Sequence, residues 1–148
     1  MGNKMIHLTS RAIFLKNKRQ ILVLKDLDSD YFGLPGGGVE EQETPIQGLL
    51  REIKEEISLN LPSHYFKLVG IEYRNIGEDG EVIFIFQGQE LSRKELTEIA
   101  PSKEIGDARY VDIAEAYQLL TPTMVNRLSK ILLNFSEKVT FLENGKEV

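Results

Sequence analysis

Apolar and polar positions alternate in the first part of the chain in runs short enough for β-strands. Two such runs, residues 6–15 and 20–24, are separated by the polar segment 16–19, and this arrangement predicts a hairpin. The second run contains Ile21-Leu22-Val23-Leu24, which is apolar without interruption. Such a run is typical of a strand that is covered on both faces. The N-terminal part is therefore expected to be β-rich, with one fully buried strand.

Strand and helix patterns continue in mixed order to the C-terminus. The predicted elements are strands over 66–74 and 81–87 joined by the turn signal 77–80, a polar surface loop over 91–106, a short strand over 108–111, helices over 113–120 and 123–135 divided by Pro122, and a strand over 139–142. Strands and helices in this order predict an α+β fold in which helices pack on a mixed sheet. The chain is expected to form one domain over residues 1–148.

One segment predicts a long amphipathic helix from Pro45 to about Ser58. Thr44 is suited to the N-cap, Pro45 to the first helical position and Gln47 to the third. Five apolar residues recur at helical spacing and predict the core-facing stripe: Ile46, Leu49, Leu50, Ile53 and Ile57. The segment 60–63, Asn-Leu-Pro-Ser, is expected to end the helix.

Three carboxylates crowd one patch of this predicted helix. Glu52, Glu55 and Glu56 lie at positions 0, +3 and +4, where side chains are neighbours and like charges cost roughly 0.2–0.5 kcal/mol per pair. An ordinary solvated helix face is the simpler explanation for such acids, with Arg51 pairing to Glu55. It leaves unexplained the run Gly36-Gly37-Gly38 in front of the helix, which permits close backbone approach to a ligand. Oxygen ligands of this kind suit a hard cation such as Mg²⁺ or Mn²⁺.

Charge and composition narrow the class of partner. The net charge of −5 gives no basic field to attract nucleic acid or an anionic membrane, and no apolar stretch approaches the roughly 20 residues that a membrane span needs. The absence of cysteine excludes disulfides, thiolate metal sites and a cysteine nucleophile. No secretory signal is recognisable at the N-terminus, so we expect a cytoplasmic protein.

The glycine run and the acidic helix together resemble the signature of the Nudix hydrolase superfamily, of the MutT type. That signature is a glycine, five residues, a glutamate, seven residues, and then Arg-Glu-apolar-x-Glu-Glu-x-Gly-apolar. Gly37, Glu43 and the run from Arg51 to Glu56 match every charged position at these spacings. Ser58 departs from the pattern, because the family usually has glycine there. We expect this change to affect the end of the helix slightly and the metal site little.

The resemblance implies a Nudix-type α/β/α sandwich and the hydrolysis of a diphosphate linked to another group, usually in a nucleoside diphosphate derivative. It implies that Glu52, Glu55 and Glu56 hold Mg²⁺ or Mn²⁺, with the Gly36 carbonyl as a further ligand. Glu52 is the favoured residue for helping to deprotonate the attacking water, although the base in this superfamily varies. Glu43 and Arg51 are expected to pair and to pin the loop against the helix, as a positioning role in catalysis.

Residues outside this signature carry weaker predictions. Arg11 and Lys25 are placed where basic side chains could reach a phosphate, and Tyr31 is a candidate for stacking on a base, whereas the neighbouring Phe32 is expected in the core. Gly37 and Gly38 are expected to expose backbone groups to the substrate. Five acids are candidates for an additional carboxylate from outside the signature: Glu78, Glu81, Glu95, Glu98 and Glu104.

The substrate stays open among a nucleoside triphosphate, a nucleotide sugar or another small diphosphate. The alternative function is a non-catalytic Nudix-like module that senses a nucleotide, although the intact charged set disfavours it. Diphosphate isomerisation is disfavoured because the isomerases that resemble this family depend on a cysteine, which this chain lacks. A homodimer is possible, as in many relatives, and no nucleic-acid or membrane partner is expected.

Overall fold

The computed structural model describes residues 2–148. Its helices are α1 (Pro45–Ile57), α2 (Arg93–Glu98), α3 (Ile113–Leu119) and α4 (Pro122–Leu133), with a 3₁₀ turn at Ser63–Tyr65. Its strands are β1 (Ile6–Ile13), β2 (Leu15–Lys16), β3 (Gln20–Asp26), β4 (Phe32–Gly33), β5 (Gly36–Gly38), β6 (Phe66–Ile76), β7 (Asp79–Gly88), β8 (Ile105–Asp112), β9 (Thr140–Glu143) and β10 (Lys146–Glu147). Within this part of the chain no helix is long and apolar enough to cross a membrane.

The strands form two sheets. The larger sheet has the order β10-β9-β6-β7-β1-β5 and is mixed, because β1 runs parallel to β7 and β6 runs parallel to β9 while the other pairs are antiparallel. The smaller sheet is antiparallel and centres on β3, which pairs with β8 over its whole length and with the short strands β2 and β4.

Two apolar cores lie on opposite sides of β3. Ile21 and Val23 join the core that packs against α3 and α4, whereas Leu22 and Leu24 join the core that contains the stripe of α1. All four side chains are buried, as the uninterrupted apolar run predicts, because successive residues of a strand point to opposite faces. The prediction of a mixed sheet flanked by helices is confirmed.

The predicted N-terminal hairpin is only partly right. The run 6–15 is divided at Phe14, which is fully buried and packs edge-on against Phe66 with ring centroids 5.7 Å apart. Residues before this point pair with β5 and β7 in the larger sheet, and only β2 turns back to pair with β3. The alternation of apolar and polar residues does not show where the chain passes from one sheet to the other, because the side-chain pattern is the same in both.

The prediction of an irregular loop over 91–106 was wrong. This segment contains α2 and the first residues of β8. A capping box begins the helix: Ser92 accepts from the backbone N–H of Glu95, and Glu95 accepts from the backbone N–H of Ser92. The helix has only six residues and buries none of them, so it has no apolar stripe to reveal it. The serine and glutamate three positions apart were the available signal.

Helix α1 begins and ends as the sequence predicts, and the residue at its C-cap, Ser58, is the one that departs from the Nudix signature. Thr44 and Gln47 form a reciprocal capping box, and Pro45 occupies the first turn. Ser58 ends the helix in the left-handed conformation with φ of 66°, where glycine is usual. Its hydroxyl donates to the carbonyl of Ala100 at 2.8 Å, a contact that glycine could not make.

Candidate active site

The glycine run lies against β1 and is fixed there by backbone geometry. Gly36 pairs with Arg11 in the larger sheet and has φ of 133°, a conformation that side chains rarely adopt. A Cβ atom at Gly36 would lie 2.0 Å from the carbonyl oxygen of Ser10. A Cβ atom at Gly37 would lie 2.7 Å from the carboxyl carbon of Glu52, so that carboxyl group rests on the glycine backbone. The run therefore brings β5 into direct contact with α1.

Arg51 ties this loop to the helix. Its Nε and Nη2 donate to the two carboxylate oxygens of Glu43 at 2.7 and 3.0 Å, and Nη2 also donates to the carbonyl of Gly38 at 2.9 Å. Its Nη1 donates to Glu52 at 3.1 Å and to Glu55 at 3.2 Å. The Arg51 guanidinium lowers the pKa of the Glu43 carboxyl. The arrangement is the pairing that the resemblance implies, and Arg51 also partly neutralises two of the three crowded acids.

Glu56 is a partly buried carboxylate of the three-acid group. Its Oε1 accepts a hydrogen bond from the backbone N–H of Gly36 at 2.9 Å. The pKa of Glu56 is raised to about 7, chiefly by burial; the negative charges of Glu52 and Asp26 also raise it, while the Gly36 hydrogen bond and the Arg11 charge lower it. A carboxyl in this state gains strongly from a nearby cation, because the cation would offset the lost hydration of the ionised form.

A cavity of about 720 Å³ opens in front of these groups. The predicted residues that line it are Arg11, Tyr31, Gly36, Gly37, Glu52, Glu55 and Glu56. Glu43, Arg51 and Gly38 contact this group from outside the lining. Lys25 also lies outside the lining, at the pairing of β3 with Phe32 of β4 and Asp107 of β8. Phe32 lines the cavity but is only 8% exposed and belongs to a core, as predicted.

Arg11 lies between the cavity and the glycine loop. Its Nη1 donates to the carbonyl of Gly36 at 2.8 Å and to that of Leu34 at 3.1 Å. The Gly36 carbonyl, which the resemblance assigns to a metal, is therefore engaged by a cation in this conformation. A metal at this carbonyl would require the Arg11 side chain to move or to share the oxygen's second lone pair.

Glu52, Glu55 and Glu56 are chemically suitable ligands for a hard divalent cation, although their carboxylates do not converge on one point. Within residues 2–148, no three acidic or histidine side chains are close enough together to hold a metal ion. The physical reason is visible in the contacts: Arg51 engages Glu52 and Glu55, while Gly36 engages Glu56. All three carboxylates nevertheless line one cavity, and an all-oxygen donor set is the set that Mg²⁺ and Mn²⁺ prefer.

The cavity lining also contains acids that the sequence pattern did not mark, or among which it could not choose. Of the five candidates outside the signature, Glu104 lines the cavity. Asp26 and Asp28 line it too, and the Leu27 N–H holds the two loops together by donating to the Glu104 carbonyl at 2.7 Å. Glu81 and Glu95 are instead bonded to Thr9 and Tyr65, and Glu98 lies 4.0 Å from Lys94. No local pattern marks Asp26 or Glu104, because the tertiary fold brings them to the helix.

Comparison with known proteins agrees with this geometry. The family model of the NUDIX domain matches residues 5–135, and the chain belongs to this family. It is 34% identical over 85 residues to the mRNA-decapping enzyme subunit 2 of Saccharomyces cerevisiae, covering 57% of this chain and 9% of that protein. It is 36% identical over 64 residues to the 8-oxo-dGTP diphosphatase of Proteus vulgaris, covering 41% of this chain and 57% of that protein.

The fold is shared with solved structures of the same family. The crystal structure of a MutT protein from Methanosarcina mazei Go1 superposes with a TM-score of 0.74 at 17% identity, over 93% of this chain and 100% of that chain. Together with the family match, this confirms the resemblance that the glycine run and the acidic helix suggest.

Proposed function

We propose that this protein is a Mg²⁺- or Mn²⁺-dependent hydrolase that cleaves the diphosphate linkage of a small nucleoside-diphosphate-type substrate. The observation that carries the proposal is the position of Glu52, Glu55 and Glu56, which line one cavity beside the glycine turn. Apolar residues also line the cavity, including Leu24, Phe32 and Met124, so it offers both acidic and apolar groups to a single ligand.

A divalent ion held by Glu52, Glu55 and Glu56 would supply charge neutralisation of the diphosphate and a water of lowered pKa. The chain's own residues would do the positioning. Arg51 holds the glycine loop through Glu43 and Gly38, so the backbone beside the acids is rigid before the substrate arrives. Arg11 and Lys103 are the cationic side chains that line the cavity, against six carboxylates. This excess of negative charge explains why an anionic substrate would need metal to bind.

Two carboxylates are candidates for the general base. Glu52 lies beside the glycine turn, and Glu104 lines the same cavity from a separate loop. Glu52→Gln and Glu104→Gln separate the two roles when the pH dependence of kcat is measured for each. Removal of the base should lower kcat by about 10²–10⁴-fold and abolish the acidic limb of the profile, where protonation of the base lowers kcat. Removal of a metal ligand should instead be partly rescued by raising the metal concentration. A Glu104→Gln variant with unchanged kcat would remove Glu104 from consideration.

The substrate is proposed to be a nucleotide. Tyr31 is 58% exposed and lines the cavity, where it would stack on a base while the acids bind the metal-bound diphosphate. The names of the two curated relatives, a decapping enzyme subunit and an 8-oxo-dGTP diphosphatase, also favour this class. A homodimer and a cytoplasmic location stay predictions.

A substrate panel tests the proposal. Nucleoside triphosphates, nucleotide sugars, ADP-ribose and dinucleoside polyphosphates would each be incubated with the protein and Mg²⁺ or Mn²⁺, and phosphate products would be measured. Metal-dependent release from at least one compound that is lost in Glu56→Gln supports the enzyme. Tight binding without turnover across the panel would favour the alternative, a nucleotide-sensing module. Turnover that survives chelation of all divalent ions would contradict the proposed metal site.

A further inference from the structure

A buried arginine outside the family signature lies behind the active-site cavity. Arg127 of α4 is only 9% exposed, and its Nε donates to Oε1 of Glu72 on β6 at 2.6 Å. Glu72 is 1% exposed, and its other oxygen accepts from the backbone N–H of Gly145 at 2.6 Å. Both carboxylate oxygens of Glu72 are therefore satisfied. Among residues 2–148, Nε is the one side-chain nitrogen of Arg127 that has a protein acceptor.

Arg127 lines a second, small cavity, which we call the annex. Arg11 also lines the annex, and the rest of its lining is apolar, including Leu34, Met124 and Ile131. Arg11, Leu34 and Met124 line the active-site cavity as well, so the two spaces adjoin. Two arginines thus line one small, otherwise apolar space whose described lining contains no acid. Arg11 already donates to two carbonyls and Arg127 to Glu72, and the Nη atoms of Arg127 keep N–H groups that an entering acceptor could use.

The size of the annex restricts what can enter. Its volume of about 20 Å³ exceeds the ~10–15 Å³ that one water molecule requires and is far below that of a whole phosphate. One oxygen atom of a larger group therefore fits. The fork of N–H groups on arginine matches phosphoryl oxygens, and such charge-assisted bonds are short and strong.

We propose that the annex binds one phosphoryl oxygen of the substrate between Arg11 and Arg127, and that Arg127 is a substrate-binding residue. This inference rests on the proposed function, because it assumes a phosphorylated ligand in the adjoining cavity. The purely structural explanation is that Arg127 serves only to pair with Glu72 and so to hold the turn at Gly145. The two explanations differ in whether the affinity for phosphate depends on the Arg127 side chain.

Two variants of Arg127, and a control substitution at another residue of α4, distinguish the two explanations. Arg127→Lys keeps a cation for Glu72 but removes the fork, and the double variant Glu72→Gln/Arg127→Gln removes the buried pair without leaving a lone charge. Lys130→Gln is the matched control, because Lys130 donates to the Gly145 carbonyl and holds the same turn without lining the annex. Circular dichroism and thermal unfolding would establish that each variant is folded.

The measurement is the affinity for inorganic pyrophosphate with Mg²⁺, by titration calorimetry, with nucleotide hydrolysis followed in parallel. We expect Arg127→Lys and the double variant to bind pyrophosphate at least about tenfold more weakly, with KM raised more than kcat is lowered, and Lys130→Gln to bind as the wild type does. Unchanged affinity in folded Arg127 variants, or an equal loss in Lys130→Gln, would overturn the inference.

A measurement on the unaltered protein avoids dependence on variant folding. The Nε–Hε signal of Arg127 would be followed by NMR while pyrophosphate is added. A shift that saturates with pyrophosphate binding supports the annex site, even if no nucleotide in the panel is hydrolysed. An unmoved signal while pyrophosphate binds and nucleotides are hydrolysed would reject the annex alone and leave the proposed function standing.

Discussion

The backbone N–H of Gly36 donates to Oε1 of Glu56 at 2.9 Å, although the two residues are 20 positions apart. This bond joins the glycine turn to the last turn of α1 and orients a partly buried carboxylate of the candidate site. It also means that the conformation of a loop glycine and the charge of a helix acid are coupled. A substitution at Gly36 should therefore alter the position of the Glu56 carboxylate, and a change in the charge of Glu56 should alter the conformation of the turn.

Substitution of Glu56 by glutamine should abolish metal-dependent hydrolysis and leave the fold intact. The amide keeps the size of the side chain and an oxygen for Gly36, but it removes the charge that a divalent ion requires. We expect kcat to fall at least about a hundredfold. Steady-state kinetics with Mg²⁺ would measure this, with Glu41→Gln as the control, because Glu41 is exposed in the loop outside the cavity lining. Turnover close to that of the wild type would contradict the assignment of Glu56.

Stability without metal should fall as the pH rises towards neutrality. Because the pKa of Glu56 is raised from an ordinary 4.5 to about 7, the folded protein holds this proton more tightly than the unfolded chain does. The stabilisation is fully present below pH 4.5 and is lost as the pH rises through 7.

Thermal unfolding of the chelator-treated protein between pH 4.5 and 8 would measure this effect. The difference in melting temperature between the wild type and Glu56→Gln at each pH gives the contribution of Glu56, because the variant keeps the other titrating groups. Mg²⁺ added at pH 8 should raise the melting temperature of the wild type more than that of the variant. A wild-type melting temperature that changes with pH no differently from that of Glu56→Gln would show that Glu56 titrates normally.

Substitution by alanine should affect the free energy of unfolding much more at Gly36 than at Gly38. At Gly36 a methyl group would meet the Ser10 carbonyl and the backbone has φ of 133°, so Gly36→Ala should destabilise the fold by at least about 3 kcal/mol. At Gly38 the same methyl group meets nothing within 4 Å, so Gly38→Ala should change stability by less than about 1 kcal/mol. Urea unfolding of both variants tests this contrast, and equal stabilities would show that the turn is not fixed as described.

The serine that replaces the usual glycine after α1 should be better replaced by glycine than by alanine. Ser58→Gly relieves the left-handed strain but loses the bond to the Ala100 carbonyl, so its stability should stay within about 1 kcal/mol of the wild type. Ser58→Ala keeps the strain and loses the bond, and should cost about 1–2 kcal/mol. Thermal unfolding would rank the three proteins. If alanine were tolerated as well as glycine, the conformation at this position would not be under strain.

Short-range patterns determined the helix that carries the candidate chemistry. The capping residues Thr44 and Gln47, the apolar stripe and the acids at helical spacing all act within one or two turns, so neighbouring residues fix them. The pairing of Glu43 with Arg51 was predicted from the family resemblance, and the structure shows it as a two-pronged contact. These features depend on chemistry that a linear sequence displays.

Only the tertiary structure decided which distant groups meet. Glu104 became distinct from four similar acids because a loop more than forty residues beyond α1 contributes to the cavity lining. The division of the first strand at Phe14 and the buried pairing of Glu72 with Arg127 likewise depend on partners far along the chain. Sheet pairing and the burial of charge arise from contacts between separate elements, and no local period records them. Sequence therefore specified the acidic helix, and packing specified the cavity in which it acts.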